Sequence, residues 1–181
     1  MKISNNGRLF YLLLVLFFVF NSNLVFSSPA MKEIGFAQPK VKMPAPEFCL
    51  YSLSGSEKCL SDYKGKVVLI NFWATFCSPC RQEMPSLESL WQTHNADGFV
   101  VLAVSADKGH VKTVNEFVNS MTLTFPVLLD DKGGARKKYE VVGLPTTYLV
   151  SRDGLILGRM MGEKDWNSAK VHTLIENLAR P

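Results

Sequence analysis

The sequence lacks the features that mark several large classes of protein. It contains no internal repeat and no basic cluster of the kind that suggests nucleic acid, and its three histidines, His94, His110 and His172, do not have the spacing of a metal site. Without a basic cluster, the chain offers no charged surface suited to a nucleic acid. We therefore expect no nucleic-acid partner and no metal, and we expect the histidines to lie at the surface.

Acidic residues are also absent from the N-terminal part of the chain, where none precedes Glu33. Lys2 and Arg8 stand before an apolar stretch over residues 9–26, which is interrupted at residues 21–23. A basic start and a short apolar core predict a secretory signal peptide over residues 1–28. The stretch approaches the ~20 residues that span a bilayer, so an uncleaved N-terminal membrane anchor stays open as an alternative. Either way we expect a periplasmic or otherwise extracytoplasmic protein, secreted or tethered to the inner membrane.

The four cysteines are confined to residues 49–80, and cysteines in an exported chain suit an oxidising compartment. Residues 29–43 lack periodicity, and prolines occur at positions 39, 44 and 46, so the segment predicts a flexible linker. The predicted domain covers residues 44–181. About 150 residues follow the leader, which is enough for one well-buried core.

Apolar patterns and turn signals predict an α/β fold for this domain. One hairpin is expected around Ser54-Gly55-Ser56 and another around Arg152-Asp153-Gly154. The continuous apolar run 67–72 suits a central strand covered on both faces. The other predicted elements are a helix over 79–95, a strand over 99–105, a helix over 111–121, a strand over 126–129, a helix over 135–139 and a last helix over 166–178 that Asp165 would cap.

Cys77 and Cys80 form the motif Cys-Ser-Pro-Cys between the predicted central strand and the helix that follows it. A thiol at a helix N-terminus faces unpaired N–H groups and the positive end of the helix dipole, which favour the reactive thiolate. A zinc site needs four ligands, and neither a second such motif nor paired histidines accompanies this one. The motif therefore favours thiol–disulfide exchange, with Cys77 attacking, Cys80 resolving and Pro79 modulating the thiolate.

The order of elements and two segments, residues 60–85 and 142–149, resemble the thioredoxin-fold oxidoreductases of the TlpA/ResA type. The resemblance implies a thioredoxin-like fold, with a central mixed β-sheet flanked by helices and an added N-terminal β-hairpin. It also implies an exported reductase of protein disulfides, such as those of apocytochrome c or of copper-site cysteines, with a part in cytochrome c maturation. Its redox group is the Cys77–Cys80 disulfide, with no other cofactor, and a membrane electron donor of the DsbD/CcdA type would reduce it.

The resemblance extends to residues outside the motif. Glu83 follows Cys80 by three positions on one helix face, and ResA-like proteins carry an active-site Glu there. Cytosolic thioredoxins instead have an acid in the preceding strand, where this chain has Asn71. A partly desolvated Glu83 would have a raised pKa and could take the proton of Cys80. Alternatively, Glu83 is a solvated carboxylate that the helix dipole stabilises in the first turn. Both interpretations stay open. Pro145 matches the cis-proline loop, which would present the backbone of Leu144 to a substrate segment.

Four further residues each allow two interpretations. Trp73 and Phe76 either form apolar, substrate-binding surface near the thiols or belong to the core, and the family often has Trp in place of Phe76. Cys49 and Cys59 lie outside the family's pattern and flank the first hairpin turn, so antiparallel pairing would place them opposite each other. We expect a structural disulfide between them. The alternative is a second redox pair that trades electrons with the first.

Two other functions share parts of this pattern. A thiol peroxidase of the peroxiredoxin type has the same fold but would need a lone peroxidatic cysteine instead of a dithiol. A copper-binding module like the Sco proteins has C-x-x-x-C and a distal histidine, and the spacing here is one residue shorter. For an oxidoreductase, the direction of electron flow depends on the reduction potential and on the partners.

Overall fold

The computed structural model describes residues 28–180. The predicted leader lies, apart from Ser28, outside these residues, so its two interpretations remain predictions. In the described part of the chain no helix has both the length and the apolar composition needed to cross a membrane.

The helices and strands follow the predicted order, with one additional short helix at the start. In chain order they are α1 (Pro29–Ile34), β1 (Cys49–Ser52), β2 (Glu57–Cys59), β3 (Val67–Trp73), α2 (Ser78–His94), β4 (Phe99–Ser105), α3 (Val111–Ser120), β5 (Val127–Leu129), α4 (Gly134–Lys138), β6 (Thr146–Val150), β7 (Ile156–Met161) and α5 (Ala169–Ala179). All the predicted elements except the last helix lie within a residue or so of their expected bounds.

The strands form one mixed seven-stranded sheet in the order β2-β1-β5-β4-β3-β6-β7. The pairs β3–β4 and β4–β5 are parallel, and the other neighbours are antiparallel. Every residue of β3 and β4 is buried, because apolar side chains cover both faces. Along β3, Leu69 and Trp73 join the cluster on one face, while Ile70 and Phe72 join the other. The predicted mixed α/β sheet is confirmed.

Residues 29–43 differ from the flexible linker that their composition predicts. Met31 and Ile34 of α1 are buried, as is Phe36, and all three belong to the main core cluster. Beyond them Ala37 pairs with Arg159 of β7. Gly158 makes room for this arm, because a Cβ atom there would lie 2.8 Å from Met31 Cε. Residues 29–43 therefore form an ordered N-terminal arm. Its buried apolar residues show no periodicity in the sequence, because they pack against the core and the edge strand β7 and not against one another.

The last helix also begins later than predicted. Ser168 precedes its first turn, and Asp165 instead accepts a hydrogen bond of 3.0 Å from the backbone N–H of Asn167. Trp166 therefore lies before the helix, where it is fully buried. From this position the indole Nε1 of Trp166 donates a hydrogen bond of 3.1 Å to Glu83 Oε2.

Only part of the expected surface placement of the histidines is correct. His110 is exposed and His172 is half-buried, but His94 at the end of α2 is 2% exposed. His94 Nε2 lies 2.8 Å from His172 Nδ1 in α5. Sequence spacing could not reveal this pair, because the two residues are 78 positions apart.

Candidate active site

The motif cysteines lie where the central strand gives way to helix α2. Cys77 caps the helix, and its Sγ atom accepts a hydrogen bond of 3.3 Å from the N–H of Cys80. The two cysteines form a disulfide with a Cα–Cα distance of 5.3 Å. Cys77 is half-buried, whereas Cys80 is completely buried. An incoming sulfur therefore reaches Cys77, which fits the predicted roles of an attacking Cys77 and a resolving Cys80.

The turn that carries Cys77 is fixed by a buried carboxylate which the sequence analysis missed. Asp107 is 3% exposed and accepts hydrogen bonds from Thr75, at 3.0 Å from its N–H and at 2.6 Å from its hydroxyl. The hydroxyl of Ser105 donates to the same carboxylate at 2.8 Å. Since parallel strands β3 and β4 end at one edge of the sheet, the residues after β4 meet the turn after β3. The sequence feature that could have identified Asp107 was its position just after the predicted strand β4.

Glu83 lies inside the protein, one helical turn after Cys80. Its side chain is 2% exposed and accepts three hydrogen bonds, from Asn71 Nδ2 at 2.8 Å, Trp166 Nε1 at 3.1 Å and the N–H of Lys164 at 3.1 Å. Burial raises the pKa of Glu83 to about 7, and these hydrogen bonds hold it below the value that burial alone would give. The interpretation of Glu83 as a solvated carboxylate is therefore wrong.

Asn71 connects Glu83 to the proline loop. Its Nδ2 group donates at 2.8 Å to Glu83 Oε1 and at 3.0 Å to Thr147 Oγ1, two residues beyond Pro145. Its Oδ1 atom is buried and has no hydrogen-bond partner among residues 28–180. Thr147 and Trp166 were not predicted, because nothing in their local sequence shows which distant carboxylate they approach.

The Leu144–Pro145 peptide bond is cis, as the resemblance implies. The loop is held at both ends: Thr146 Oγ1 donates to the carbonyl of Gly143 at 2.6 Å, and the N–H of Gly162 donates to the carbonyl of Pro145 at 2.9 Å. Leu144 is half-buried and packs against both core clusters.

The aromatic residues before the motif have different environments. Trp73 is fully buried and packs against the ring of Phe117 at a centroid distance of 5.3 Å, so it belongs to the core and not to a substrate-binding surface. Phe76 is 76% exposed, and Pro79 is exposed as well. Val142 in the proline loop and Met161, which pairs with Thr146, are two exposed apolar residues that the sequence analysis missed.

Cys49 and Cys59 are directly opposite each other in the first hairpin and form a disulfide. The predicted cross-strand pair is therefore present, although its structural or redox role is a separate question. The carboxylate of Glu47 lies within 4.8 Å of both sulfur atoms. Sulfurs joined in a disulfide are not thiolate ligands, so this group offers no metal site in the oxidised protein.

Comparison with known proteins identifies the family. The model of the AhpC/TSA family matches residues 41–158. The chain belongs to the AhpC/TSA family. It is 44% identical over 135 residues to the thioredoxin-like protein YneN of Bacillus subtilis, an alignment that covers 73% of this chain and 76% of YneN.

Two further comparisons agree with the thiol–disulfide chemistry expected of the motif. The thiol-disulfide oxidoreductase ResA of Bacillus cereus is 37% identical over 139 residues, which are 77% of this chain and 76% of ResA. A crystal structure from Chlorobium tepidum, provisionally described as thiol:disulfide interchange protein DsbE, superposes with a TM-score of 0.70 at 30% identity and covers 80% of this chain and 99% of that one. The thioredoxin-like fold and the ResA-type resemblance are confirmed, and the chain is a thiol-disulfide oxidoreductase.

Proposed function

We propose that the protein is an extracytoplasmic reductase of protein disulfides that works through the Cys77–Cys80 dithiol. The observation that carries the proposal is the asymmetry of the pair: Cys77 is half-buried at the helix cap, while Cys80 is buried one turn before Glu83. An accessible attacking thiolate and a shielded resolving thiol are what a two-step exchange requires.

The reaction starts from the dithiol form. The Cys77 thiolate attacks one sulfur of a substrate disulfide, the substrate S–S bond breaks, and one substrate thiolate leaves. Cys80 then transfers its proton to Glu83 and attacks Cys77 Sγ, which releases the second substrate thiolate and forms the enzyme disulfide. Two electrons have moved from enzyme to substrate, and both substrate thiolates take up protons according to their pKa values.

The buried Glu83 carboxylate suits the proton transfer. Its pKa of about 7 lies closer to that of a thiol than an ordinary carboxyl does, so the transfer is less uphill. The three hydrogen bonds to Glu83 hold this carboxylate of α2 in place one turn after Cys80. Asn71 and Trp166 would then act as positioning residues, because they contact Glu83 and not the sulfurs.

The substrates we propose are folded or partly folded proteins with exposed disulfides, such as apocytochrome c or copper-site proteins. The exposed Phe76, Val142 and Met161 support a protein substrate, since apolar side chains around a reactive thiol bind extended apolar segments. The reoxidised enzyme needs a dithiol donor, and we propose a membrane protein of the DsbD/CcdA type. The N-terminal leader supports an exported location.

The reduction potential of the Cys77–Cys80 couple tests the direction of electron flow. Equilibration with glutathione or dithiothreitol buffers, followed by alkylation and mass mapping, measures it. A value near the ~ −270 mV of thioredoxin supports a reductase, whereas one near the ~ −120 mV of DsbA overturns the proposed direction. Insulin reduction should be lost in Cys77→Ser, and Cys80→Ser should accumulate the mixed disulfide.

Two assays separate the rival functions. A peroxiredoxin-type enzyme would consume hydrogen peroxide faster than it reduces insulin, and we expect the reverse order here. A Sco-like module would bind one copper ion through Cys77 and Cys80. Among residues 28–180, no third histidine, cysteine or carboxylate ligand clusters with these two sulfurs, so we expect weak copper binding and normal insulin reduction.

A further inference from the structure

Two of the three hydrogen bonds to Glu83 come from the segment between β7 and α5, and both reach the same carboxylate oxygen. The N–H of Lys164 and the Nε1 atom of Trp166 each donate to Glu83 Oε2 at 3.1 Å, whereas Asn71 of β3 donates to Oε1. The segment that carries Lys164 and Trp166 belongs to no helix or strand. The ladder of a regular element therefore does not fix these two donors, and tertiary contacts hold them.

The N-terminal arm makes a contact with the first donor. Lys164 Nζ donates a hydrogen bond of 2.9 Å to the carbonyl of Ile34, which is the last residue of α1. A carbonyl at the end of a helix has no partner within the helix, so an ammonium group satisfies it. Lys164 thus binds Glu83 through its backbone and the arm through its side chain.

The arm also contacts the second donor. The ring of Phe36 packs against the indole of Trp166 at a centroid distance of 6.2 Å and an angle of 52°, and both rings are buried. Tilted aromatic pairs of this kind contribute more than their buried area alone. The backbone N–H of Trp166 donates to Ser86 Oγ of α2 at 3.1 Å. Helix α2 therefore holds the backbone of Trp166, and Phe36 of the arm holds its ring.

The part of the arm that makes these contacts is itself fixed. The N–H of Phe36 donates to the carbonyl of Met31 at 2.9 Å, and Ala37 exchanges two backbone hydrogen bonds of 2.8 and 2.9 Å with Arg159 of β7. Phe36 also packs closely on Gly158, where a Cβ atom would lie 2.9 Å from Phe36 Cβ. These contacts fix Phe36 from both sides, so the arm provides a rigid support for the residues that it touches.

We propose that the N-terminal arm positions the Glu83 carboxylate, through Ile34 on Lys164 and through Phe36 on Trp166. Phe36 and the Lys164 side chain are then positioning residues, because they act on Glu83 through its two donors. Loss of either contact should loosen a hydrogen bond to Glu83 Oε2, and the ionised carboxylate is disfavoured when its donors are lost. The consequence for thiol exchange rests on the proposed function, in which Glu83 takes the proton of Cys80.

The charged groups that face Glu83 determine which variants can test the proposal. A cavity of about 390 Å³ lies beside Glu83, and its other lining residues are Gln82, Ser86, Glu163, Lys164 and Asp165. From the other elements Glu83 meets the uncharged Asn71 and Trp166, and in the oxidised protein the cysteines of α2 are uncharged as well. Removal of the Lys164 ammonium would itself disfavour a carboxylate nearby. A variant that changes no charge is therefore needed, and Phe36→Leu provides it.

A ¹³C NMR titration of the Glu carboxyl groups in the oxidised full-length protein, in mild detergent, tests the positioning directly. The Glu83 signal is assigned by its absence in Glu83→Gln. Phe36→Leu and Lys164→Met should each raise the titration midpoint of Glu83 by about one pH unit, the lower end of what one hydrogen bond to a charged group gives. Lys164→Arg keeps the charge and a donor for Ile34, so it should restore the original midpoint. Lys164 is half-buried, and its variants keep the test decisive if Phe36→Leu unfolds.

Phe48→Leu and Lys170→Met are the matched controls. Phe48 is as buried as Phe36 but packs against Tyr139, and Lys170 forms an exposed ion pair with Glu33 of α1. Neither control should move the midpoint of Glu83.

The proposal is overturned if Phe36→Leu and Lys164→Met titrate as the unaltered protein does, or if Phe48→Leu moves the midpoint as far as Phe36→Leu. Stopped-flow breakdown of the mixed disulfide in the same variants separates this result from the proposed function. A raised NMR midpoint together with an unmoved rate profile supports the positioning of Glu83 and contradicts its role in proton transfer.

Discussion

The indole Nε1 of Trp166 donates a hydrogen bond of 3.1 Å to Glu83 Oε2, although 83 residues separate the two in sequence. Asn71 donates to the other carboxylate oxygen at 2.8 Å. Strand β3 and the segment before α5 therefore both stabilise the ionised form of the buried acid that follows the cysteine motif. Their contribution makes the pKa of Glu83 a property of the assembled fold and leads to the first three predictions below.

Replacement of Glu83 by Gln should alter the pH dependence of the resolving step. In the unaltered protein the rate of Cys80 attack should rise as Glu83 ionises near pH 7. Gln cannot accept a proton, so the rise should move up to the pKa of Cys80 itself, and the rate at pH 7 should fall about 100-fold, the lower end of general-base contributions. Stopped-flow measurement of mixed-disulfide breakdown gives the profile. An unchanged profile would contradict the proposed role.

The same substitution should change how stability depends on pH. The folded pKa of about 7 lies above the model value of 4.5, so the folded state binds the proton more tightly. The free energy of unfolding should therefore fall as pH rises from about 4.5 to 7, by on the order of 3 kcal/mol from this group alone. Glu83→Gln should lack this fall and be relatively more stable at pH 8. Urea unfolding of the oxidised protein at pH 4.5 and pH 8 measures the difference.

Replacement of Trp166 by Phe should raise the pKa of Glu83 further. The variant keeps an aromatic ring in the buried site but removes one hydrogen bond to the carboxylate, and such bonds to charged groups contribute roughly 1.5–3 kcal/mol, or about 1–2 pKa units. The midpoint of the Cys80 rate profile should move to higher pH. Trp91→Phe is the matched control, because Trp91 donates to Thr124 instead. Equal shifts in the two variants would show that the effect is not specific to Glu83.

Removal of the hairpin disulfide should lower stability without affecting exchange at Cys77. The pair closes a loop with a sequence separation of 10, and its loss in Cys49→Ser/Cys59→Ser should cost ~2–3 kcal/mol in the chain-entropy model. Guanidinium unfolding and insulin reduction are the two measurements. If the double variant loses insulin reduction, or if Cys49–Cys59 has the same potential as Cys77–Cys80, the disulfide is a second redox pair and the structural interpretation fails.

The exposed apolar residues beside the active site should affect protein substrates selectively. Phe76→Ser and Val142→Ser should raise KM for a disulfide-bonded protein substrate such as insulin several-fold, in line with the ~1 kcal/mol that an apolar contact contributes, while kcat stays nearly unchanged. The rate with a small aromatic disulfide should not change. Val41→Ser, at a position 65% exposed on the N-terminal arm, serves as the control. A loss of activity towards both substrates would indicate a damaged active site.

Much of the fold followed from local patterns. The buried runs of β3 and β4, the two hairpins and the helix after Cys77 were predicted within a residue or so, because apolar periodicity and turn residues act over a few positions. The pairing of Cys49 with Cys59 followed for the same reason, since both flank one short turn. Local patterns failed for the arm at residues 29–43, whose few apolar residues are ordered only by the sheet edge that they cover.

The same distinction between local and tertiary features applies to the candidate active site. The sequence by itself determined the reactive pair, the helix that it caps and the position of Glu83 one turn later, because these depend on spacing within one element. Only the tertiary structure decided that Glu83 is buried, that Asn71 and Trp166 hold it, that Trp73 is core and Phe76 is surface, and that His94 meets His172. Burial and hydrogen bonds between distant elements arise when the sheet and helices assemble, and they determine pKa values that no local sequence pattern contains.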